Sequence, residues 1–178
     1  MLEELPSDQE IHTGPAIRGE DEYRGVPVET RKRGFDRLFA FAREVPVTHK
    51  IFSYRKREYP ERAELKAAFS QALGHFMRDN AAYFLSFDKV TVYYDNGQAD
   101  VTDVLTAVLK PFFFDIDFRL AAPSRYRLFQ VADLHCTLEL LRLKSEENRL
   151  SRSDMYFLGS RRRLQKNYLT KLDHKQLS

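Results

Sequence analysis

Two aspartates stand out as residues whose type and position could support chemistry. Asp95 ends the β-rich segment DKVTVYYD, and Asp133 lies in the otherwise apolar stretch FQVADLHC. A carboxylate in apolar surroundings is costly unless it is paired, protonated or bound to a metal ion. Two facing carboxylates suit Mg²⁺ or Mn²⁺, because these ions prefer hard oxygen ligands. The chemistry predicted by such a pair is metal-assisted hydrolysis of a phosphodiester.

A structural explanation stays open for Asp95, and a third residue, His12, joins the candidates. Asp95 precedes Asn96-Gly97, and an aspartate before such a dipeptide often only caps a turn. His12 lies in the loop-like segment IHTGP, where a single histidine is usually a surface residue. His49, His75 and His174 show no metal-ligand spacing. His135 is close to Asp133 in sequence, but near neighbours on a helix point in different directions.

A basic segment near the C-terminus is the third feature. Six cations fall within fifteen positions: Arg161, Arg162, Arg163, Lys166, Lys171 and Lys175. The aromatic residues among and before them, Tyr156, Phe157 and Tyr168, are of the type that stacks on nucleic-acid bases. The segment therefore suggests a DNA or RNA contact, and the alternative is a solvated face of an amphipathic helix.

Composition limits the classes of protein that fit. The 178 residues are enough for one domain with a hydrophobic core, and the net charge of +3 gives no strong global positive field. A single cysteine excludes an internal disulfide and fits a reducing, cytoplasmic location. The longest apolar runs are far too short to cross a bilayer, so no membrane contact is expected.

Periodicity predicts the elements that must position these residues. Helices are expected at Glu29–Glu44, from Pro60 towards Phe84, at Asp100–Phe113, Tyr126–Lys144 and Ser160–Leu172. Strands are expected at Thr48–Lys56, Asp88–Asp95 and Ile116–Ala121. The alternation predicts a single α/β (α+β) domain with a loop-rich entry at 1–34, a core at 35–144 and a basic helical tail at 145–178.

Four segments together resemble the family catalogued as domain of unknown function 3800. They are IHTGPAIR, VYYDNGQ, APSRYRLFQVADLHCTLELL and LGSRRRLQKNYLTKL, in that order along the chain. The resemblance implies a ribonuclease-H-like mixed sheet flanked by helices. It further implies that Asp95 and Asp133 bind Mg²⁺ or Mn²⁺, that His12 is catalytic, and that Ser124 and Gln130 support the site.

The sequence departs from the family pattern at its beginning. Members of the family generally start with a strand that ends in Asp-Glu-Ser-Gly, and no such strand is present here. In the family's sheet order, 3-2-1-4-5, the expected strands of this chain would be strands 3, 4 and 5. Strands 3 and 4 would then lie about 14 Å apart, with unpaired backbone edges between them. The expectation is an N-terminally truncated fold with an incomplete metal site.

Three functions follow from these observations. The first is a metal-dependent nuclease or related phosphodiester hydrolase, weakened or inactivated by the truncation. The second is a non-catalytic binding or assembly protein of a defence or mobile-element system, whose open strand edges pair with another copy or with a strand-complementing partner. The third is a module that binds nucleic acid through Arg161, Arg162, Arg163 and Lys166 without cutting it.

Overall fold

The computed structural model describes residues 11–95, 99–121 and 126–177. In chain order its elements are α1 (Thr13–Arg18), α2 (Val28–Glu44), α3 (Arg62–Asp79), α4 (Ala81–Phe84), β1 (Val90–Tyr94), α5 (Ala99–Leu109), β2 (Ile116–Leu120), α6 (Arg127–Glu146), α7 (Arg152–Leu158), α8 (Arg161–Arg163) and α9 (Thr170–Leu172). A π-helical turn, Leu164–Leu169, joins α8 to α9. Short 3₁₀ turns occupy Asp21–Tyr23, Lys56–Glu58 and Asp173–Lys175. No helix in the described ranges is long and apolar enough to cross a membrane.

The chain divides into two compact units. The first unit combines Met1–Ile51 with Pro123–Ser178, and the second unit is the continuous stretch Phe52–Ala122. In the part of the chain that the structure describes, the elements of the first unit are helices or helical turns, whereas β1 and β2 belong to the second unit. The candidate residues are divided in the same way, because Asp95 belongs to the second unit and Asp133 to the first.

The core of the first unit is built mainly from α2, α6 and α7. Apolar residues recur at helical spacing on α2 and α6, so each helix buries one face. The edge of the Phe35 ring contacts the ring of Phe157 at 5.4 Å between centroids, and Tyr168 contacts both Phe35 and Phe39. Burial of such aromatic rings supplies much of the hydrophobic stabilisation of a core of this size. The buried members of the cluster on α2 and α6 are Val28, Phe35, Leu38, Phe39, Ala42, Val131, Leu134, Leu138 and Leu141.

The second unit contains a β–α–β arrangement in which β1 and β2 are parallel neighbours. Val90 pairs with Ile116 and Tyr94 with Leu120, so the two strands are in register along their full length. One face of the sheet carries Val90, Val92, Ile116 and Phe118, which pack against the apolar cluster of the helices. This cluster is centred on Leu73, Met77, Val104, Leu109 and Phe113. The opposite face is polar, since Arg119 is paired with Asp117 at 2.7 Å.

The α+β class is therefore correct, and two of the three expected strands form as adjacent neighbours. The expected strand Thr48–Lys56 is wrong: apart from a single bridge between His49 and Gln176, the segment forms no ladder in the described structure. Its apolar residues serve two separate cores instead of one sheet face. Ile51 lines a cavity of the first unit, whereas the ring of Phe52 contacts Phe69 at 5.5 Å in the second. Consecutive side chains of a strand would also point to opposite sides, so what the segment lacks is a partner: beyond His49 no described strand pairs with its backbone.

The helix expected from Pro60 to Phe84 also differs in detail. Helix α3 begins at Arg62 and is N-capped by Glu61, so Pro60 lies before the helix and not in its first turn. The helix is interrupted at Asn80, whose backbone and side-chain nitrogens both donate to the Phe76 carbonyl, at 3.1 and 3.0 Å. An asparagine that competes for the helix's own acceptors in this way favours a helix end.

Candidate functional site

The carboxylate of Asp133 is held by a residue from the other end of the chain. Its Oδ2 accepts a hydrogen bond from the Thr13 backbone N–H at 2.9 Å and another from the Thr13 hydroxyl at 2.6 Å. The Thr13 oxygen is also 2.7 Å from the hydroxyl of Thr137, one helical turn beyond Asp133 on α6. Thr13 is completely buried, whereas Asp133 is exposed. The oxygen Oδ1 accepts no hydrogen bond from any described residue.

This arrangement has a local cause in the sequence. Thr13 is the first residue of α1, where backbone N–H groups lack partners within the helix. His12 is the N-cap residue that precedes Thr13, and its side chain makes no capping hydrogen bond. Asp133 therefore satisfies a donor that the local sequence leaves without a cap, and its negative charge lies at the positive end of the helix.

His12 and Asp133 are brought together by the same contact. The residue that follows His12 is bonded to Asp133, so His12 adjoins the carboxylate although 120 residues of sequence separate Thr13 from Asp133. His12 is exposed, and its backbone N–H donates to the Tyr23 hydroxyl at 3.3 Å. Two of the three residues expected to be catalytic are thus neighbours on the surface of the first unit.

Gln130, expected to support the site, lies one turn before Asp133 on α6. It is 5% exposed, and its Nε2 has no hydrogen-bond partner among the described residues. A buried amide nitrogen without a partner is uncommon and marks a place where a further acceptor would be stabilised. Ser124, the other supporting residue, lies outside the described residues.

Asp95 directly follows β1 at the carboxyl end of the parallel pair. The side chain is exposed, and the adjacent backbone is fixed because the Ala121 N–H donates to the Tyr94 carbonyl at 3.0 Å. The carboxyl ends of parallel strands are where open α/β sheets place their binding sites. Within the described ranges, no three or more His, Cys, Asp or Glu side chains are grouped so that they could hold a metal ion.

The cations of the basic segment are exposed from Arg161 to Lys171, but Lys175 is buried and donates to the Val45 carbonyl, and most of the segment's aromatic residues are not exposed. Arg161, Arg162, Arg163 and Lys166 are all exposed. Phe157 is 2% exposed, and the Tyr168 hydroxyl donates to Asp36 at 3.0 Å while its ring packs in the core. Burial, with the nearby Asp36 carboxylate, raises the pKa of Tyr168. The expectation that Phe157 and Tyr168 stack on bases is therefore wrong, and Tyr156, 68% exposed, is the aromatic residue that remains accessible.

A stacked histidine pair is the feature that sequence reasoning missed. The rings of His49 and His135 lie 3.8 Å apart between centroids with a tilt of 30°. His49 Nδ1 and His135 Nε2 are buried, and no described residue bonds to them. The two rings border a small cavity of about 30 Å³, enough for one or two water molecules. Its other polar lining residues are Glu139, Arg142, Asp173 and Gln176.

The electrostatics of this pair favour neutral imidazoles. Burial lowers the pKa of His135 to about 4, and the neighbouring His49 and Lys175 act in the same direction. Burial also lowers the pKa of His49, although the carboxylates of Glu139 and Asp173 oppose the shift. One sequence signal pointed here: His135, Leu138, Glu139 and Arg142 follow the i, i+3, i+4, i+7 spacing of a single helix face. His49 carries no corresponding signal.

Comparison of the chain with protein-family models, with curated proteins and with solved structures finds no match. Its function therefore has to be inferred from its own side chains and their contacts.

Proposed function

We propose that this chain is part of a divalent-metal-dependent phosphodiester hydrolase of ribonuclease-H-like type. The observation that carries the proposal is the hydrogen bonding of the Asp133 carboxylate. Its Oδ2 is fixed by Thr13, while Oδ1 accepts no hydrogen bond from the described residues on an exposed part of α6. A carboxylate oriented in this way has one oxygen available for a hard cation, and this matches the donor chemistry of Mg²⁺ and Mn²⁺.

The second support is Asp95 at the end of β1. A parallel β–α–β arrangement with an exposed carboxylate at the carboxyl end of a strand is a common setting for a metal or phosphate site. The resemblance of VYYDNGQ and QVADLHC to the family pattern makes each aspartate a candidate metal ligand. Asp133 in the first unit and Asp95 in the second would each supply a carboxylate oxygen to a divalent ion, which when bound supplies an activated water and stabilises the leaving oxygen.

His12 and Gln130 are the further residues of the first unit that the proposal includes, together with Asp133. His12 is exposed and precedes the Asp133-bound Thr13, so its imidazole is proposed as the proton donor or acceptor on this side of the first unit. Gln130, with its unpartnered buried Nε2, has a hydrogen bond to offer to a group that approaches α6.

The test compares variants that separate charge from shape. Asp133→Asn keeps an oxygen that accepts the two Thr13 hydrogen bonds but removes the negative charge, and Asp95→Asn does the same at the end of β1. Asp88→Asn is the matched control, because Asp88 is an exposed aspartate at the opposite end of the same strand. We measure Mn²⁺ affinity by calorimetry and Mn²⁺-dependent cleavage of single-stranded and duplex DNA and RNA.

We expect Asp133→Asn and Asp95→Asn each to lower the Mn²⁺ affinity and the cleavage rate by about tenfold or more. Asp88→Asn should have the wild-type affinity and cleavage rate. Each variant must unfold at the wild-type temperature, so that loss of metal binding is not loss of fold. Metal binding that is unchanged in Asp133→Asn would overturn the proposal, and so would cleavage that persists in both site variants.

A second candidate function is nucleic-acid binding without hydrolysis. It is favoured by the exposure of Arg162 and Arg163 together with the exposed ring of Tyr156. Removing two phosphate contacts should lower the slope of log affinity against log salt by about two. We therefore compare Arg162→Ala/Arg163→Ala with the control Arg57→Ala/Arg78→Ala, which removes the same charge from exposed positions of the second unit. An equal slope in both double variants would exclude the basic segment as the contact surface.

A further inference from the structure

The outer edge of β2 offers a regular set of backbone groups. The Val90 N–H donates to the Asp115 carbonyl and the Ala121 N–H donates to the Tyr94 carbonyl, both at 3.0 Å. In a parallel ladder, these bonds show that the odd-numbered residues of β2 direct their backbone N–H and C=O groups towards β1. Ile116, Phe118 and Leu120 consequently direct their backbone N–H and C=O groups away from β1, and among the described residues no partner accepts or donates to them.

The two faces of β2 differ in chemistry. Ile116 and Phe118 lie on the apolar face that packs against the core of the second unit, and Leu120 continues that face with 58% of its surface exposed. Asp117 and Arg119 lie on the polar face, where more than a third of each side chain is exposed. Read along the strand, Ile116–Leu120 is apolar, acidic, apolar, basic, apolar.

This pattern is complementary to itself when one copy is reversed. We propose that the outer edge of β2 pairs antiparallel with β2 of a second copy of this chain, with Phe118 opposite Phe118. Ile116 then faces Leu120 of the other copy on the apolar face, and Asp117 faces Arg119 on the polar face, each contact occurring twice. The three outward-facing residues of each strand exchange their backbone hydrogen bonds, and the two-fold symmetry closes the assembly as a dimer.

The charges select this register over its neighbours. In an antiparallel pair, Ile116, Phe118 and Leu120 of one copy must each lie opposite one of the same three residues, or a residue of the same parity, in the other copy. The centre of the pairing can therefore move along β2 by whole residues. Shifting the centre by one residue towards the start of β2 places Asp117 opposite Asp117. A shift in the other direction places Arg119 opposite Arg119. Like charges directly opposite each other are destabilising, whereas the centred register forms two attractive pairs.

The dimer also accounts for two features of the isolated second unit. A parallel pair of strands is rarely found alone, because parallel sheets are usually larger and buried. Pairing would give the continuous four-stranded order β1-β2-β2-β1 and would cover the exposed Leu120 with Ile116 of the other copy. None of the residues at this edge belongs to the proposed hydrolase site. Dimer formation can therefore be tested independently of hydrolase activity.

A charge-swap experiment on the full chain tests the register. Sedimentation equilibrium across a series of protein concentrations gives the dimer dissociation constant. Arg119→Asp creates two like-charge pairs and is expected to raise that constant about tenfold or more. The double variant Asp117→Arg/Arg119→Asp restores both attractive pairs and is expected to return the constant to within about threefold of wild type.

A pair of proline variants tests the backbone contact separately. Leu120→Pro removes an N–H that points to the proposed partner while leaving the bonds to β1 in place, and it is expected to abolish dimers. Thr91→Pro removes an outward N–H from β1, away from the proposed interface, and is expected to leave the dimer intact. A wild-type chain that is monomeric at about 100 µM would overturn the proposal. A dimer whose dissociation constant is unaffected by Arg119→Asp and by Leu120→Pro would also overturn it.

Discussion

Asp133 Oδ2 accepts two hydrogen bonds from Thr13, one from its backbone N–H and one from its hydroxyl, at 2.9 and 2.6 Å. The contact joins the first turn of α1 to the middle of α6 and places Thr137 within 2.7 Å of the same hydroxyl. Asp133 therefore has a structural role that exists whether or not a metal ion is bound. Loss of activity in an Asp133 variant is informative only when this role is preserved.

The two roles of Asp133 predict different stabilities for two substitutions. Asp133→Ala removes both acceptors of the Thr13 donors and should lower the free energy of unfolding by about 1–3 kcal/mol. Asp133→Asn retains an accepting oxygen and should cost less than about 1 kcal/mol. Urea denaturation of both variants measures the difference. Equal losses would show that the carboxylate charge, and not hydrogen bonding, stabilises the first turn of α1.

The histidine pair predicts that acid destabilises the protein. The folded chain holds the pKa of His135 near 4, whereas an unfolded histidine has a pKa near 6.5, so unfolding takes up a proton between these values. The contribution is fully present above about pH 6.5 and is lost as the pH falls towards 4, with a size of about 3 kcal/mol for His135. The charged groups that face the pair are Glu139 and Arg142 of α6 together with Asp173 and Lys175.

The control for this pH dependence is His135→Phe, which keeps an aromatic ring against His49 but cannot bind a proton. Urea denaturation at a series of pH values should give a shallower fall in stability for the variant than for the wild type between pH 6.5 and 4. Parallel curves for the two proteins would assign the acid sensitivity to other groups.

Asp154 at the start of α7 predicts a costly core substitution. It is 2% exposed, accepts the Ser151 backbone N–H at 2.9 Å, and lies 3.4 Å from the Lys144 ammonium. Asp154→Ala should cost about 2–4 kcal/mol, because it removes a helix cap and leaves the partly buried Lys144 without this carboxylate. Ser153→Ala, an exposed change on the same helix, should alter stability by less than about 0.5 kcal/mol. Thermal unfolding monitored by circular dichroism compares the two.

Two glycine-to-alanine changes should act in opposite directions. Gly159 follows α7 with φ of +82°, and a Cβ there would lie 2.9 Å from the Arg163 Nη1 atom. Gly159→Ala should therefore destabilise the protein by about 1 kcal/mol or more. Gly74 lies inside α3, where an added Cβ would meet only Arg78 at 3.4 Å, and Gly74→Ala should stabilise by about 0.5–1 kcal/mol. Stabilisation by both changes in chemical denaturation would contradict the backbone assignment at Gly159.

Sequence patterns predicted the long helices well and the site poorly, for physical reasons. Helix α2 begins within one residue of its expected start, and α6 within one as well, because each buries a single apolar face whose period is visible locally. The strand expected from Thr48 is absent because, beyond the His49 bridge, no described strand pairs with the segment. Alternation cannot reveal this, since it records the spacing of apolar residues and not the partners of the backbone.

The contacts of the site could not be predicted from local patterns. The apolar sequence around Asp133 predicts a carboxylate in apolar surroundings, but Asp133 is exposed, and its partner Thr13 is 120 residues away with no spacing rule to link them. The pairing of His49 with His135 is hidden for the same reason. The charge pattern of Ile116–Leu120, in contrast, was present in the sequence and gained meaning only once the direction of the strand's backbone groups was known.

The first unit is assembled from two stretches of chain with the whole second unit between them. On a ribosome that adds roughly 5–20 residues per second, α1 and α2 leave the exit tunnel on the order of ten seconds before α6 exists to cover them. During that interval the rings of Phe35 and Phe39 have no core to enter. The continuous second unit can fold meanwhile, so newly made chains should pass through a half-folded stage in which the N-terminal helices are the segment that depends on chaperones.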